Sequence, residues 1–253
     1  MSKILITAGP TNEYIDEVMK ITNMSSGRTG LEIARHFKDL GHEVHLVGNK
    51  FLTRDVLFKE YGLESCAFTV IETTQDMLAA LAAMAGQHFD LVVHNSAVGD
   101  YKADAVFTME MLADELTADP AVCAADAALR RQAILKHLTA PECAVNSHTK
   151  ISSYEPNLTV KLGLTPKIIS NLRTWFPNAK LVGFKLLDNV TKSHIISVAT
   201  ALCAKNNLDY VIANDLSLIN QGRHLCHVVD ENGYTGRDLE GGVEIAAFLK
   251  TLL

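Results

Sequence analysis

The chain has 253 residues, 48% of them hydrophobic and 21% charged, which is enough to bury a substantial core. Its net charge of −6 argues against a broad affinity for nucleic acid or anionic membranes, because such binding needs a basic face. The five cysteines are scattered without a C-x-x-C pair, and the N-terminal apolar run is only a strand in length. We therefore expect reduced, mostly core thiols in a cytoplasmic protein.

The N-terminal part alternates short apolar runs with amphipathic segments. It predicts strands at 3–7, 44–47, 67–71 and 91–93, and helices at 27–40, 54–61 and 74–85. Strands separated by helices in this way indicate a doubly wound, mostly parallel α/β sheet of the Rossmann-like class. Ligands of such sheets bind beyond the carboxyl ends of the strands, where the loops starting at Ala8 and His94 would open.

The alternation of strands and helices stops between Ala103 and His148, where two alanine-rich helices at 109–116 and 124–138 are predicted without a clear strand. An alternating strand follows at 158–164. A helix through about Trp175 is then expected, with Thr165 as its cap and Pro166 at its first position. The C-terminal part predicts strands at 181–187, 210–213 and 225–229, a helix at 191–206, a turn at Asn232-Gly233 and a closing helix from about Asp238. We predict one domain over 1–253, in which 103–165 is an insertion.

The stretch from Asn23 to Gly30 is suited to holding an anion. Ser25 or Ser26 could cap the helix that follows, and the glycines let a ligand approach the backbone. Unpaired amides at a helix start favour phosphate or carboxylate. An ordinary strand-to-helix turn with a good cap explains the same residues equally well, because the spacing is neither a P-loop nor a clean dinucleotide fingerprint.

Other polar or aromatic residues follow predicted strands. The loop from Asn95 to Tyr101 is made of small residues and carries Asp100, which could bond a base or sugar or could simply cap a turn. Phe184 could stack on a base or belong to the core, and Asn214-Asp215 could be a site or an Asx turn. Lys150 taken alone is a solvated surface charge. The histidine spacing does not predict a metal cage formed by the protein.

Taken in order, several short motifs resemble those of the phosphopantothenoylcysteine synthetase family of coenzyme A biosynthesis. They are Ala8 to Glu13, Ile15-Asp16, Thr22 to Gly27, Ala97 to Tyr101, Lys150-Ile151, Thr165-Pro166, Val182 to Phe184 and Ala213 to Asp215. The resemblance spans nearly the whole chain and implies the monofunctional bacterial form, with no flavin-dependent decarboxylase portion ahead of the first strand.

The resemblance implies a two-step ligase. The carboxylate of 4′-phosphopantothenate would attack the α-phosphate of CTP, with ATP as an alternative, and release pyrophosphate. The amine of L-cysteine would then displace the nucleotide from the acyl-cytidylate. Mg²⁺ would arrive with the triphosphate rather than in a cage of protein ligands. The resemblance also implies a homodimer, with a dimerisation flap within 103–165.

Roles for individual residues follow from the same resemblance. Asn23 would hold the acyl intermediate and Lys150 would neutralise triphosphate charge, so both are candidate catalytic residues. The predicted nucleotide contacts are Gly9, His94, Asn95, Ser96, Asp100, Lys150, Pro166, Lys167, Ile168, Ile169 and Phe184. The predicted substrate contacts are Asn23, Ser25, Ser26, Gly27, Ala97 and Asn214.

The chain departs from the family pattern where basic residues stand in other members. Met19 occupies a position that is often arginine, with Lys20 beside it, and Leu202 and Asn206 occupy positions that are lysine in some relatives. Two other functions compete with the ligase: an NAD(P)-dependent reductase on a Rossmann-like fold and a non-catalytic nucleotide-binding module. Against the reductase, Ala8 to Thr11 lacks G-x-G-x-x-G and the second strand ends without an acidic residue.

Overall fold

The computed structural model describes residues 1–145 and 147–253 and groups them into two compact units. The first unit contains Met1–Asn12, Asn23–Val98 and Pro166–Leu253, and the second contains Glu13–Thr22 and Gly99–Thr165. The sequence predicted one domain with an insertion at 103–165. In the structure that insertion lies in the second unit, together with the short segment at 13–22.

The strands are numbered in chain order. They are β1 Lys3–Ala8, β2 Asn12–Tyr14, β3 Lys20–Thr22, β4 Glu43–Asn49, β5 Ala67–Ile71, β6 Leu91–His94, β7 Tyr101–Thr108, β8 Leu158–Leu164, β9 Lys180–Leu187, β10 Tyr210–Asp215, β11 Leu225–Asp230 and β12 Gly233–Glu240.

The α-helices are numbered in the same way. They are α1 Arg28–Asp39, α2 Val56–Glu60, α3 Thr74–Ala83, α4 Met109–Ala118, α5 Ala127–Thr139, α6 Leu172–Trp175, α7 Lys192–Lys205, α8 Leu216–Asn220 and α9 Gly241–Lys250. Short 3₁₀ turns lie at Leu52–Arg54, Leu63–Ser65, Pro120–Cys123 and Ile168–Asn171.

The first unit is built on one mostly parallel sheet. Within its described residues, eight strands are ordered β12-β11-β10-β9-β6-β1-β4-β5. Strands β5, β4, β1, β6, β9 and β10 are parallel, and β11 and β12 form an antiparallel edge. The chain moves from β1 to β4 in one direction and returns to place β6 on the other side of β1. This order confirms the predicted doubly wound α/β class and puts a topological switch point at β1.

Both faces of this sheet are buried, which explains the continuous apolar run in β1. Ile4 and Ile6 belong to a core cluster that includes residues of α1 and α9. Leu5 points the other way, into a cluster with residues of α3 and α7. A strand covered on both sides therefore carries apolar residues on both of its faces.

The second unit contains an antiparallel pair and two helices. Strands β7 and β8 pair from Tyr101↔Leu164 to Thr108↔Leu158, with a register shift between Ala103 and Ala105. Helices α4 and α5 are joined by His137, whose ring bonds Glu115 Oε1 at 2.6 Å and Asp119 Oδ2 at 2.9 Å. These contacts link one helix to the other through a single buried side chain.

Four predictions about the helices, the strands and the cysteines need correction. The segment from Ala103 does contain a strand, β7, whose bulge interrupts the alternation that would have revealed it. Thr165 and Pro166 do not open a helix. The Thr165 hydroxyl instead donates to the Gly99 carbonyl, and helical turns begin only at Ile168.

The closing helix begins at Gly241 rather than near Asp238, because residues 233–240 pair with β11 as β12. The thiols are also less buried than predicted: Cys203 and Cys226 are buried, Cys66 and Cys143 are partly exposed, and Cys123 is exposed. Across the described residues, no helix combines the length and apolar character that a membrane crossing requires.

Candidate functional site

Glycine rather than serine forms the start of α1. Gly27, which has no side chain, is the N-cap residue in the left-handed conformation, with φ of 75°. Ser26 lies one residue earlier and its hydroxyl accepts from the Arg28 amide at 3.3 Å. The predicted serine cap is therefore wrong: at that φ a glycine avoids strain, and it also lets the backbone turn sharply into the helix.

The space around Gly27 is too small for a side chain. A Cβ there would lie 2.4 Å from Leu52 Cδ2 and 3.0 Å from the Gly9 backbone nitrogen. The end of β1 and the start of α1 therefore approach each other at backbone distance. The first turn of α1 holds no acidic residue, so the positive end of the helix dipole is not neutralised by a side chain.

The loop that follows β6 is joined to this region. The Ala97 amide donates to the Gly9 carbonyl at 3.0 Å, and Pro10 and Ala97 form a parallel bridge. The side-chain nitrogen of Asn23 donates to the carbonyls of Ala97 at 3.2 Å and Val98 at 3.1 Å. Within the first unit, the fold thus brings together four residues that the sequence assigned to one site: Gly9, Asn23, Gly27 and Ala97.

The start of the same loop is fixed by the Thr7 hydroxyl. Thr7 Oγ1 lies 2.8 Å from His94 Nδ1 and accepts from the Ser96 amide at 3.2 Å. Burial lowers the pKa of His94 to about 4, so its ring is neutral near pH 7. The main chain adds a further tie, since the Asn95 amide donates to the Thr7 carbonyl at 3.2 Å. His94, Asn95 and Ser96 are therefore held against the carboxyl end of β1.

Comparison with known proteins shows the family to which the chain belongs. Residues 1–130 match the model of the DNA/pantothenate metabolism flavoprotein C-terminal domain. The chain belongs to this family. This assignment confirms the resemblance found in the sequence motifs.

Individual members support the assignment. The crystal structure of the DNA/pantothenate metabolism flavoprotein from Streptococcus pneumoniae is 30% identical, with a TM-score of 0.74, and the match covers 99% of this chain and 97% of that one. The coenzyme A biosynthesis bifunctional protein CoaBC of Thermococcus kodakarensis is 30% identical over 215 residues, 85% of this chain. The chain spans 41% of the length of that relative. The C-terminal domain of a CoaBC protein shares the fold, with a TM-score of 0.62 at 22% identity.

The remaining predicted nucleotide contacts of the first unit lie on both faces of the sheet. Phe184 packs partly buried against the cluster that includes α1 and α9. Ile168 is 1% exposed in the opposite cluster, and Ile169 packs partly buried against it. Pro166 and Lys167 precede these residues, and the Lys167 carbonyl accepts from Ser170 and Asn171. Because the Ile168 side chain is enclosed by core, any ligand contact at that position would involve its backbone.

Asn214 is buried near the end of β10, beside a carboxylate that orders the neighbouring loop. Asp215 accepts from the amides of Asn189, Val190 and Ser217, and these bonds, the one from Val190 foremost, lower its pKa to about 2. The Asx-turn alternative thus describes Asp215 well. The role of Asn214 as a substrate contact stays a prediction.

In the second unit, Asp100 and Lys150 are exposed. The Asp100 carbonyl accepts from the Thr165 amide at 3.1 Å, next to the Tyr101↔Leu164 end of the β7–β8 pair. Ile151, next to Lys150, is buried. A cavity of about 600 Å³ in this unit is lined by Tyr14, Ile15, Asp16, Glu17, Ser147 and His148.

Leu202 and Asn206, which stand where some relatives have lysine, do not supply a positive charge. The Asn206 side chain donates to the Leu202 carbonyl at 2.8 Å and ends α7, and Leu202 packs against the core. Lys205 between them is exposed. Across residues 1–145 and 147–253, no group of three or more histidine, cysteine, aspartate or glutamate side chains is arranged to hold a metal ion.

Sequence reasoning did not assign roles to Thr7 and Asp16. In the sequence, Thr7 is indistinguishable from the other residues of a buried strand, and only its hydrogen bonds with His94 and the Ser96 amide show that its hydroxyl reaches the next loop. Asp16 lies in a recognised motif, but its bond to the Ile151 amide joins residues 135 positions apart. Contacts of this kind depend on tertiary structure and leave no local signal in the sequence.

Proposed function

We propose that this protein is a phosphopantothenate–cysteine ligase that activates 4′-phosphopantothenate with CTP. The observation that carries the proposal is the hydrogen-bonded set of Gly9, Asn23 and Ala97 beside the start of α1. Membership of the family and a relative named for coenzyme A biosynthesis support the same activity.

The first step would be carried by positioning and charge neutralisation. A carboxylate is a poor electrophile, and its attack on the α-phosphate of CTP converts it into a mixed anhydride with a good leaving group. Backbone amides at the start of α1 and its dipole would hold an anionic group of the substrates. Lys150 would neutralise charge on the leaving pyrophosphate, and Mg²⁺ would enter with the triphosphate.

The second step would depend on Asn23. Both hydrogens of its side-chain nitrogen are directed at the carbonyls of Ala97 and Val98. The amide oxygen is therefore the atom of Asn23 suited to accept a hydrogen bond from the incoming cysteine amine or from the pantothenate moiety. Attack of that amine on the acyl carbon forms the amide and expels CMP, which takes the bonding electrons.

The preference for CTP over ATP, the homodimer with its flap within 103–165 and the cytoplasmic location belong to this proposal as well. They come from the resemblance of the motifs to the synthetase family. The roles of Gly9, His94, Asn95, Ser96, Asp100 and Phe184 in nucleotide binding have the same basis.

The proposal is tested by trapping the intermediate. The protein is incubated with CTP, Mg²⁺ and 4′-phosphopantothenate without cysteine, and the mixture is analysed by mass spectrometry. We expect an acyl-cytidylate that disappears on addition of cysteine, as CMP and the amide form. Hydride transfer to NAD(P) would instead support a reductase, and binding of CTP without any covalent product would support a non-catalytic module.

A further inference from the structure

Asp16 is a buried carboxylate in the second unit, and each of its two oxygens has a separate set of partners. Oδ1 accepts from the backbone amides of Val18 at 2.7 Å and Met19 at 2.6 Å. Oδ2 accepts from the Ile151 amide at 2.9 Å. The side chain is 3% exposed, and the bonds from Met19 and Ile151 lower its pKa, which keeps it ionised.

This carboxylate fixes the segment that carries Lys150. Ile151 is held at its amide by Asp16, and its side chain is 6% exposed. Lys150 is the preceding residue and is exposed, so its long side chain extends from a backbone that is anchored one position away. The positive charge of Lys150 adds a smaller contribution, after those of the Met19, Ile151 and Val18 amides, to the lowering of the pKa of Asp16.

We propose that Asp16 is a positioning residue for Lys150. By accepting the Ile151 amide, it holds the base of the lysine side chain so that the ammonium group can reach the triphosphate. A flexible lysine loses most of its benefit if its backbone moves, since a displacement of about 1 Å can cost roughly a hundredfold in rate. The inference rests on the role proposed for Lys150 in the first step.

Because the two oxygens of Asp16 accept from different amides, one set of hydrogen bonds can be removed without the other. In Asp16→Asn, the amide oxygen can keep the bonds to Val18 and Met19, while the amide nitrogen faces the Ile151 amide, donor against donor. The measured quantity is the single-turnover rate of acyl-cytidylate formation. We expect Asp16→Asn to slow this step at saturating CTP by about tenfold to a hundredfold, with little change in the CTP concentration that gives half of the maximal rate.

Lys150→Gln provides the second arm of the test. If Asp16 acts through Lys150, the double variant should be no slower than Lys150→Gln alone, because the group being positioned is already absent. Two effects that multiply in the double variant would overturn the proposal. So would an unchanged first step in Asp16→Asn.

Glu115→Gln is the matched control. Glu115 is another carboxylate of the second unit that accepts a backbone amide, that of Cys143 at 2.8 Å, seven residues before Lys150. Its loss should lower the melting temperature and leave the first step unchanged. A comparable loss of rate in Glu115→Gln would assign the effect of Asp16→Asn to general loosening of the unit and overturn the proposal.

The outcomes separate this inference from the proposed function. If the protein without any substitution forms no acyl-cytidylate, both the positioning role and the proposed ligase function are overturned. A normal first step in Lys150→Gln overturns the positioning role and leaves the ligase in place. Should Asp16→Asn not fold, Ile151→Pro removes the donor instead and must give the same non-additive loss with Lys150→Gln. Hydrogen exchange of the Ile151 backbone amide can also be measured in the protein without substitutions. Exchange as fast as in an unstructured peptide would overturn the proposal.

Discussion

The side-chain nitrogen of Asn23 donates a hydrogen bond to the Ala97 carbonyl across 3.2 Å. Asn23 precedes α1, and Ala97 lies in the loop after β6, so the bond joins two segments 74 residues apart. A second bond from the same nitrogen to Val98 makes the orientation of the amide specific. The residue proposed to act on the acyl intermediate thus also organises a neighbouring loop.

Asn23→Asp should separate the two chemical steps. The aspartate cannot donate to the two carbonyls and would direct negative charge at them, so the geometry beside the acyl group is lost. We expect acyl-cytidylate formation to stay measurable while the cysteine step is blocked, as judged by quenched-flow analysis of CMP release. Asn232→Asp, an equal change of charge in the exposed β11–β12 turn, is the control. Normal product formation by Asn23→Asp would refute its role.

Thr7→Val should weaken nucleotide binding without changing the shape of the side chain. It removes the hydroxyl that bonds both His94 and the Ser96 amide and leaves those groups without their partner. We expect a loss of about 1–3 kcal/mol in stability and a several-fold higher Kd for CTP by calorimetry.

Thr69→Val is the matched control, because Thr69 Oγ1 bonds His45 Nε2 at 2.8 Å between β4 and β5 of the same sheet. It should affect stability alone. Equal Kd values for the two variants would contradict a role of Thr7 in holding the nucleotide loop.

Gly27→Ala should disturb the start of α1. The added Cβ meets Leu52 at 2.4 Å, and the φ of 75° is strained for alanine. We expect a loss of about 1–3 kcal/mol from overpacking, measured by urea unfolding, together with weaker substrate binding. Gly41→Ala has a similar φ of 79° with nothing within 4 Å of its Cβ, so it isolates the cost of the backbone angle. Equal losses in the two variants would show that the close approach at Gly27 has no energetic weight.

The pKa of His137 should lie above the ordinary value for histidine. The side chains of Asp119 and Glu115 both accept from its ring and raise its pKa above 6.5. Bonds from Cys143 and His137 lower the pKa of Glu115 to about 2. The pKa of Asp119 is lowered chiefly by its hydrogen bond from His137, and the positive charge of Lys136 adds a smaller contribution.

The signs of these shifts give opposite pH dependences. The contribution of His137 to stability is complete below pH 6.5 and is lost as the pH rises through its pKa in the folded protein. That of Glu115 is complete above pH 4.5 and is lost as the pH falls towards 2. Titration of the His137 imidazole signals by NMR tests this account. A pKa of His137 at or below 6.5 would contradict it.

The sequence predicts the first unit well because its elements follow local rules. β1 and β4 are apolar runs, α1 ends before Gly41, and α7 lies within the helix predicted at 191–206. The order of the strands follows from alternation with helices. The gathering of Gly9, Asn23 and Ala97 follows in turn, because loops at the carboxyl ends of neighbouring parallel strands lie close together.

Predictions failed where tertiary contacts outweigh local preference. Thr165 and Pro166 have the composition of a helix start, but the Thr165 hydroxyl and amide bond Gly99 and Asp100 instead. Residues 233–240 include charged and glycine positions that favour no strand, yet they pair with β11 across the predicted turn at Asn232-Gly233. The anchoring of Ile151 by Asp16 depends on a contact across most of the chain, which no local pattern encodes.

Release of pyrophosphate from each of the four ribonucleoside triphosphates tests the ligase most directly. The protein is assayed with Mg²⁺, with and without 4′-phosphopantothenate, before cysteine is added. The account predicts release that requires phosphopantothenate and is fastest with CTP, followed by CMP and the amide product when cysteine enters. Release independent of phosphopantothenate, or none with any triphosphate, would contradict it.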